Sequence, residues 1–138
     1  MKQFIFILFV FIAFIACEKT KIGYLEVDDA SYDPNSMVVF QDPDPESYPD
    51  RVEKKYPWVS PQIQGVLGTL PIFYKIERVH TTDGDVASFY EEVKLRGDSS
   101  FEIPFDNSIK KGTYYVDVNI YNKGYSHVRD SLFILIVK

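Results

Sequence analysis

The most regular pattern in the sequence is an alternation of side chains over residues 113–122 (TYYVDVNIYN). Successive side chains of a β-strand point to opposite faces, so this alternation predicts a strand. One face would carry Tyr114, Val116, Val118 and Ile120, and the other Tyr115, Asp117, Asn119 and Tyr121. A turn signal, Asn122-Lys123-Gly124, follows. Residues 132–137 are then apolar on both faces, which is typical of a central strand.

Further short strands are expected over residues 22–27, 36–40, 70–80, 86–96 and 101–105. The Asp83-Gly84 pair predicts a hairpin-type turn between the strands 70–80 and 86–96, because such turns need positive φ angles. Residues 89–93 are also compatible with a helix, but their flanks favour a strand. Pro104 marks the last of these strands as an edge or as a strand ending.

The segment 41–61 breaks this pattern, since it carries Pro43, Pro45, Pro49, Pro57 and Pro61 among acidic residues. Each proline removes a donor from a strand ladder, so the segment predicts a long irregular loop with a short helical turn over residues 49–55. Seven or so short strands separated by turns, in about 120 residues, predict an all-β antiparallel sandwich.

The first seventeen residues predict export rather than a structural element. Lys2 precedes an apolar run over residues 4–16, the pattern of a helical secretory signal peptide. As a helix this run would span about 20 Å, short of a bilayer core of roughly 30 Å, which disfavours a permanent membrane span. Residues Phe14-Ile15-Ala16-Cys17 resemble the lipobox of bacterial lipoproteins. The resemblance implies cleavage before a lipidated Cys17; a plain secreted protein and an uncleaved anchor are the alternatives.

The expected organisation is a signal peptide over residues 1–16, the lipidated cysteine and a short tether over 17–21, and one domain over 22–138. A chain of this size builds a single core. Cys17 is the only cysteine, so no disulfide can form and the thiol is available for the anchor. The two or three acyl chains that the lipobox resemblance implies would attach the protein durably.

The charge of the chain argues against nucleic acid as a partner. The formal charge of −5 becomes −6 once Lys2 leaves with the signal peptide. An acidic domain of this kind repels phosphate backbones and anionic headgroups.

Residue patterns for catalysis and metal binding are weak. His80 and His127 lack nucleophile-elbow or metal-ligand spacing, and adjacent carboxylates such as Asp28-Asp29 point to opposite faces of a strand. Asp42, Asp44 and Glu46 resemble a calcium loop only superficially, because the turn glycine and the distal glutamate are missing. We therefore expect no enzyme activity, no metal and no cofactor.

The aromatic residues are the best candidates for ligand binding. Tyr48, Tyr56 and Trp58 lie in or beside the proline-rich loop, and Tyr115, Tyr121 and Tyr125 lie on the outward face or tip of the last hairpin. Exposed rings commonly form recognition surfaces for sugars or proteins. The set proposed for binding is Tyr56, Trp58, Tyr115, Tyr121 and Tyr125. The alternatives are core packing for Trp58 and plain sheet-face positions for Tyr115 and Tyr121.

Two segments resemble immunoglobulin-like and cadherin-like modules. Residues 112–116 (GTYYV) with 118–122 (VNIYN) and Gly124 look like their penultimate strand and hairpin, and residues 61–74 are similar to a cadherin-like middle strand pair. The resemblance implies an immunoglobulin-like sandwich. The Cys-Trp-Cys framework of antibody domains and the calcium motifs of cadherins are missing, so neither feature is carried over.

The combination of lipobox, short tether and sandwich resembles the accessory lipoproteins of starch-utilisation-type glycan uptake systems. This resemblance implies a non-catalytic binding module anchored in the cell envelope, at the outer membrane, with a polysaccharide or an outer-membrane transporter as partner. The alternative is a structural or adhesion subunit that assembles with other envelope proteins through its edge strands.

Overall fold

The computed structural model describes residues 21–138, so the predicted signal peptide, Cys17 and most of the tether lie outside the described residues. The strands are β1 (Leu25–Glu26), β2 (Ser36–Val39), β3 (Trp58–Val59), β4 (Leu67–Gly68), β5 (Phe73–Thr81), β6 (Lys94–Leu95), β7 (Phe101–Ile103), β8 (Gly112–Tyr121) and β9 (Ser126–Val137). The helices are α1 (Pro49–Lys54) and α2 (Val86–Glu92). Neither of them is long and apolar enough to cross a membrane.

The larger layer is a four-stranded sheet in the order β2-β9-β8-β5. The β8–β9 and β5–β8 pairs are antiparallel, and β2 joins β9 in parallel. The alternation over β8 buries Tyr114, Val116, Val118 and Ile120 completely. The predicted central position of the last strand is confirmed, because β9 lies between β2 and β8.

The second layer is a three-stranded sheet in the order β3-β7-β6, and β1 pairs with β4 in a small separate sheet. Phe101 of β7 stacks on Phe133 of β9 with ring centroids 4.5 Å apart, which places the core between the two larger sheets. Tyr32 packs against both rings. The predicted all-β, immunoglobulin-like sandwich is confirmed, with β2 as the one parallel pairing among the described strands.

The strand predicted over residues 86–96 is wrong, because most of it forms the helix α2. Asp85 is the N-cap, and its carboxylate accepts a hydrogen bond from the Ser88 amide at 3.3 Å. Val86, Phe89 and Val93 then recur with helical spacing, and Phe89 and Val93 are buried. The Asp83-Gly84 turn therefore leads from a strand into a helix, and β5 pairs with β8 instead of with the next segment.

Other predictions differ from the structure in detail. The helical turn in the proline-rich segment is confirmed as α1, but β3 was not anticipated there. The first strand is limited to Leu25–Glu26, although Leu25 and Val27 are buried as the alternation indicates. Residues 61–74 do not form a strand pair with each other, since β4 pairs with β1 and β5 with β8.

Candidate functional site

The outward side of the β5–β8 strand pair carries the most distinctive set of exposed side chains, and we call it the β5–β8 outer face. Its residues face each other in the register Phe73 with Tyr121, Lys75 with Asn119, Arg78 with Asp117 and His80 with Tyr115. The intervening β8 residues point into the core. Because strand side chains alternate, the other β8 face points away from this core; Tyr115 and Tyr121 are partly exposed there, whereas Asp117 and Asn119 are buried.

Two aromatic pairs mark the two ends of this face. Phe73 stacks on Tyr121 with ring centroids 5.4 Å apart and planes inclined by 29°. His80 stacks on Tyr115 at 5.5 Å and 12°. Phe73 and His80 are seven positions apart on β5, so at about 3.3 Å per residue the two pairs are separated by roughly 23 Å. The face therefore carries two stacked aromatic pairs along one line, and we call these pairs the two platforms.

An ion pair between Arg78 and Asp117 occupies the middle of the face. The Asp117 carboxylate is 1% exposed, while the Arg78 side chain is 68% exposed. Arg78 donates from Nε at 3.0 Å and from Nη2 at 2.9 Å to the same Asp117 oxygen. The other oxygen accepts from the Ser131 amide at 2.7 Å. Asp117 thus holds the guanidinium in one orientation at the surface.

Backbone irregularities create this arrangement. The β5–β8 register shifts between Ile76 and Arg78, and the β8–β9 register shifts between Val116 and Val118. Ser131, on β9, has a positive φ of 47°. Bulges of this kind re-aim side chains and are frequent beside functional sites. Here they bring the Ser131 amide onto the Asp117 carboxylate.

Polar groups fill the space between Asp117 and the Phe73–Tyr121 pair. The Asn119 amide donates to the Glu77 carboxylate at 3.3 Å and accepts from the Ser126 hydroxyl at 2.8 Å. Lys75 Nζ lies 5.8 Å from the centroid of the Tyr121 ring. The face thus combines apolar rings with oriented donors and acceptors, as a site for a polyhydroxylated ligand requires.

The Ser131 hydroxyl lies 3.4 Å from His80 Nε2. In a Ser-His-Asp catalytic triad, the carboxylate accepts a hydrogen bond from the second nitrogen of the imidazole and thereby orients the ring. The nearby Asp117 carboxylate instead contacts Arg78 and the Ser131 amide. Among residues 21–138, no three His, Cys, Asp or Glu side chains form a cluster that could hold a metal ion.

The shifted pKa values belong to the core and to turns. Burial raises the pKa of Tyr32, whose hydroxyl donates to the Ser99 carbonyl. Hydrogen bonds hold the pKa values of three exposed carboxylates below their usual range: Asp44 through Ser47, Asp83 through Thr113 and Asp98 through Ser100. These groups shape loops around the sandwich.

The structure separates the residues that the sequence proposed for binding. Tyr115 and Tyr121 lie on the β5–β8 outer face as predicted. Tyr56 is half exposed beside α1, with Lys54 Nζ 5.8 Å from its ring centroid. Tyr125 is half buried and packs against the core. Trp58 is 6% exposed, so the core alternative describes it.

Sequence reasoning missed the β5 half of the face. The Asp83-Gly84 turn predicts that the strand over residues 70–80 pairs with residues 86–96, whereas β5 pairs with β8. The Asp85 cap and the helical spacing after it were the available signal, because a helix after residue 85 leaves β5 to pair elsewhere.

Comparison with known proteins gives one structural similarity. No family model and no curated protein matches the sequence. Among solved structures, a SusE-like, surface-located polysaccharide-binding protein from the heparin utilisation locus of Bacteroides thetaiotaomicron matches 84% of this chain at 16% identity, with a TM-score of 0.51. The chain corresponds to only 15% of that protein's length. At this identity the similarity concerns the fold, and it agrees with the architecture inferred from the sequence.

Proposed function

We propose that this chain is a non-catalytic envelope module that binds glycan on its β5–β8 outer face. The observation that carries the proposal is the pair of stacked aromatic platforms, Phe73–Tyr121 and His80–Tyr115, on one exposed sheet face. Sugar rings present apolar C–H faces that pack on flat side chains and hydroxyls that need polar partners. The fold similarity to a polysaccharide-binding protein supports the same function.

The spacing of the platforms favours an extended oligosaccharide over a single sugar. Arg78 lies between them and is held by the buried Asp117 carboxylate. A side chain that is already oriented loses little conformational entropy when it binds a ligand. Arg78 would therefore donate hydrogen bonds to sugar oxygens at a small cost.

The proposed location of the module depends on lipidation of Cys17. A lipidated cysteine would anchor the chain in the outer membrane, and the short tether would keep the domain close to the lipid surface. The glycan would then be captured beside the membrane, where a transporter is the partner that fits. The Cys17 lipid and the transporter are parts of this proposal.

An affinity gel with embedded polysaccharides tests glycan binding. We expect at least one polysaccharide of a broad panel to retard the protein. Tyr115→Ala and Tyr121→Ala should each weaken binding by about tenfold, since truncation of an aromatic anchor costs about 1.4 kcal/mol or more. Tyr90→Ala is the matched control, because Tyr90 is a half-exposed tyrosine on α2, away from this face.

The control variant should migrate as the unmodified protein does. If no polysaccharide retards the protein, or if all three variants lose binding equally, glycan binding on this face is wrong. Trp58→Ala is unsuitable here, because loss of a buried ring would lower stability and binding together.

A further inference from the structure

A second surface lies at the end of the sandwich where the described residues begin. A cleft of about 580 Å³ opens between residues 21–22, the segment 69–71 and the β8–β9 turn. Its walls include Ile22, Leu70 and Pro71. Ile22 is 91% exposed and Leu70 is 80% exposed, the highest values among the large hydrophobic residues of the described chain. Burial in the core explains neither side chain.

The backbone that carries these side chains is held firmly. The Asn122 side-chain amide donates to the Tyr24 carbonyl at 2.9 Å and to the Thr69 carbonyl at 3.1 Å. The Thr69 amide also donates to the Tyr24 carbonyl, and the Tyr24 amide donates to the Thr69 hydroxyl. These bonds tie both apolar segments to the β8–β9 turn. The backbone beside Ile22 and Leu70 is therefore held at this end of the domain.

The charge around the cleft is opposite to that of the whole chain. Lys21 and Lys123 line it, and no Asp or Glu is among the residues that line it. The full chain nevertheless has a formal charge of −5. Exposed aliphatic side chains flanked by lysines fit the boundary between acyl chains and phosphate headgroups, where lysine stems lie along apolar surface and their amines reach the phosphates.

We infer that this tip, formed by Lys21, Ile22, Leu70, Pro71 and Lys123, rests on the lipid surface. The inference depends on the Cys17 anchor of the proposed function. Lys21 follows Cys17 by four residues, which reach at most about 14 Å when fully extended. A lipid on Cys17 would hold Lys21 within that distance of the headgroups. The apolar tip next to Lys21 is then the part of the domain that meets the bilayer.

Depth-dependent quenching tests this contact in the full-length protein. The protein is purified from membranes and reconstituted into phosphatidylglycerol-containing vesicles with brominated acyl chains. Leu70→Trp reports on the tip, and Tyr90→Trp on α2 at the opposite end of β5 is the matched control. The unmodified protein, whose Trp58 is buried, supplies the background. We expect the tryptophan emission of the Leu70→Trp variant to be about twofold lower with brominated acyl chains than without them. The emission of Tyr90→Trp should be the same in both kinds of vesicle.

Vesicle flotation of the unmodified protein and of the Cys17→Ser variant distinguishes a failure of the lipid anchor from a failure of the tip contact. If the protein floats with vesicles through Cys17 but the Leu70→Trp variant is not quenched, the tip contact is wrong and the anchor stands. Flotation without quenching of Leu70→Trp is also the result expected if the cleft binds another envelope protein instead of lipid. If the unmodified protein does not float, the anchor and the tip contact are both wrong. Equal quenching of both tryptophan variants also contradicts the inference.

Discussion

Trp58 packs in the core, although tryptophan is a residue type that is common in binding sites. Its ring contacts Tyr48 edge-on at 5.6 Å, and the Arg51 guanidinium lies 4.1 Å from its centroid. The ring thereby joins α1 to the β3-β7-β6 sheet. A side chain shared between a loop helix and a sheet contributes to stability whether or not a ligand is present.

We expect Trp58→Ala to lower the free energy of unfolding by about 3–5 kcal/mol, because it removes a large buried ring and leaves a cavity. Urea denaturation measures this change. Val59→Ala is the control, since the neighbouring Val59 is partly exposed and its truncation should cost much less. A loss below about 1 kcal/mol for Trp58→Ala would show that the ring is not part of the core.

Asp83 links stability to pH. Its carboxylate accepts from the Thr113 amide at 2.9 Å and from the Thr81 hydroxyl at 3.2 Å, and these bonds lower its pKa. A carboxyl group with a lowered folded-state pKa stabilises the fold above its ordinary pKa. That contribution disappears as the pH falls through the folded-state value, here below about pH 4.

We therefore expect Asp83→Asn to be less stable than the unmodified protein near pH 7 and nearly equal to it at the most acidic pH at which both fold. Urea midpoints measured across this range give the comparison. Asp42→Asn is the control, because Asp42 is an exposed aspartate in the loop before α1. A constant difference between Asp83→Asn and the unmodified protein at every pH would contradict the linkage.

Single positions on β8 could be predicted because they depend on local alternation. Tyr115 and Tyr121 point outward, as the pattern over residues 113–122 indicates. The stacking of His80 on Tyr115 could not be predicted in the same way. It depends on which distant strand pairs with β8 and on a register that includes a shift. No local pattern contains that information.

At the level of elements, α2 decides the pairing of β5. A hairpin after Thr81 would have placed residues 86–96 beside β5. The helix removes that segment, and β5 joins β8 at the edge of the four-stranded sheet. The outer face of β5 and β8 therefore exists because Asp85 caps a helix rather than closing a hairpin.

The alternative function, a structural subunit that assembles with other proteins through its edge strands, stays a prediction. The free edge of β5 is one place where such pairing could occur. Its nine residues pair only with β8 within the described sheet. The strand carries a register shift and the charged residues Lys75, Glu77 and Arg78. Bulges and charges on an edge discourage pairing with another chain, so β5 is a poor edge for such assembly.

Asn122 connects three chain segments at the tip: the residues before β1, the residues after β4 and the β8–β9 turn. Besides its bonds to Tyr24 and Thr69, its side-chain oxygen accepts from the amides of Gly124 and Tyr125 at 3.1 and 3.0 Å. We expect Asn122→Ala to cost about 1–3 kcal/mol, since partly buried backbone groups lose their partners. The Thr69 amide, bonded to the Tyr24 carbonyl, should also exchange hydrogen faster.

Unfolding experiments and hydrogen exchange measure the two effects. Lys123→Ala is the control, because Lys123 is an exposed neighbour in the same turn. If Asn122→Ala matched Lys123→Ala in both measurements, the turn would not hold the tip in place.

For the whole molecule, composition and strand spacing were sufficient to predict the class of fold. Short apolar segments, frequent turns and one domain-sized chain have few stable solutions besides a sandwich. The order of strands was less accessible, since it depends on long-range pairings such as β2 with β9 in parallel. Only the β8 half of the candidate site could be predicted, because only the β8 residues follow from a local sequence pattern.

If the domain is anchored through Cys17 and its tip rests on the lipid surface as proposed, the tip and the β5–β8 outer face together would give the domain an orientation. Phe73 follows Pro71 closely, so the Phe73–Tyr121 pair lies near the tip. The strand then runs away from it toward His80, about 23 Å farther along β5. With the tip on the lipid surface, the His80–Tyr115 pair is the more accessible platform for a long polysaccharide.

This orientation predicts a difference between two tyrosines that depends on the membrane. For the vesicle-bound full-length protein, we expect Tyr115→Ala to weaken binding of a long polysaccharide about tenfold and Tyr121→Ala to have a clearly smaller effect. In detergent the two losses should be similar, because no bilayer then blocks the Phe73–Tyr121 end. A short oligosaccharide of the same glycan is the control and should show both losses in either setting. Equal losses with the long polysaccharide on vesicles would mean that the strands do not rise from the membrane in this way.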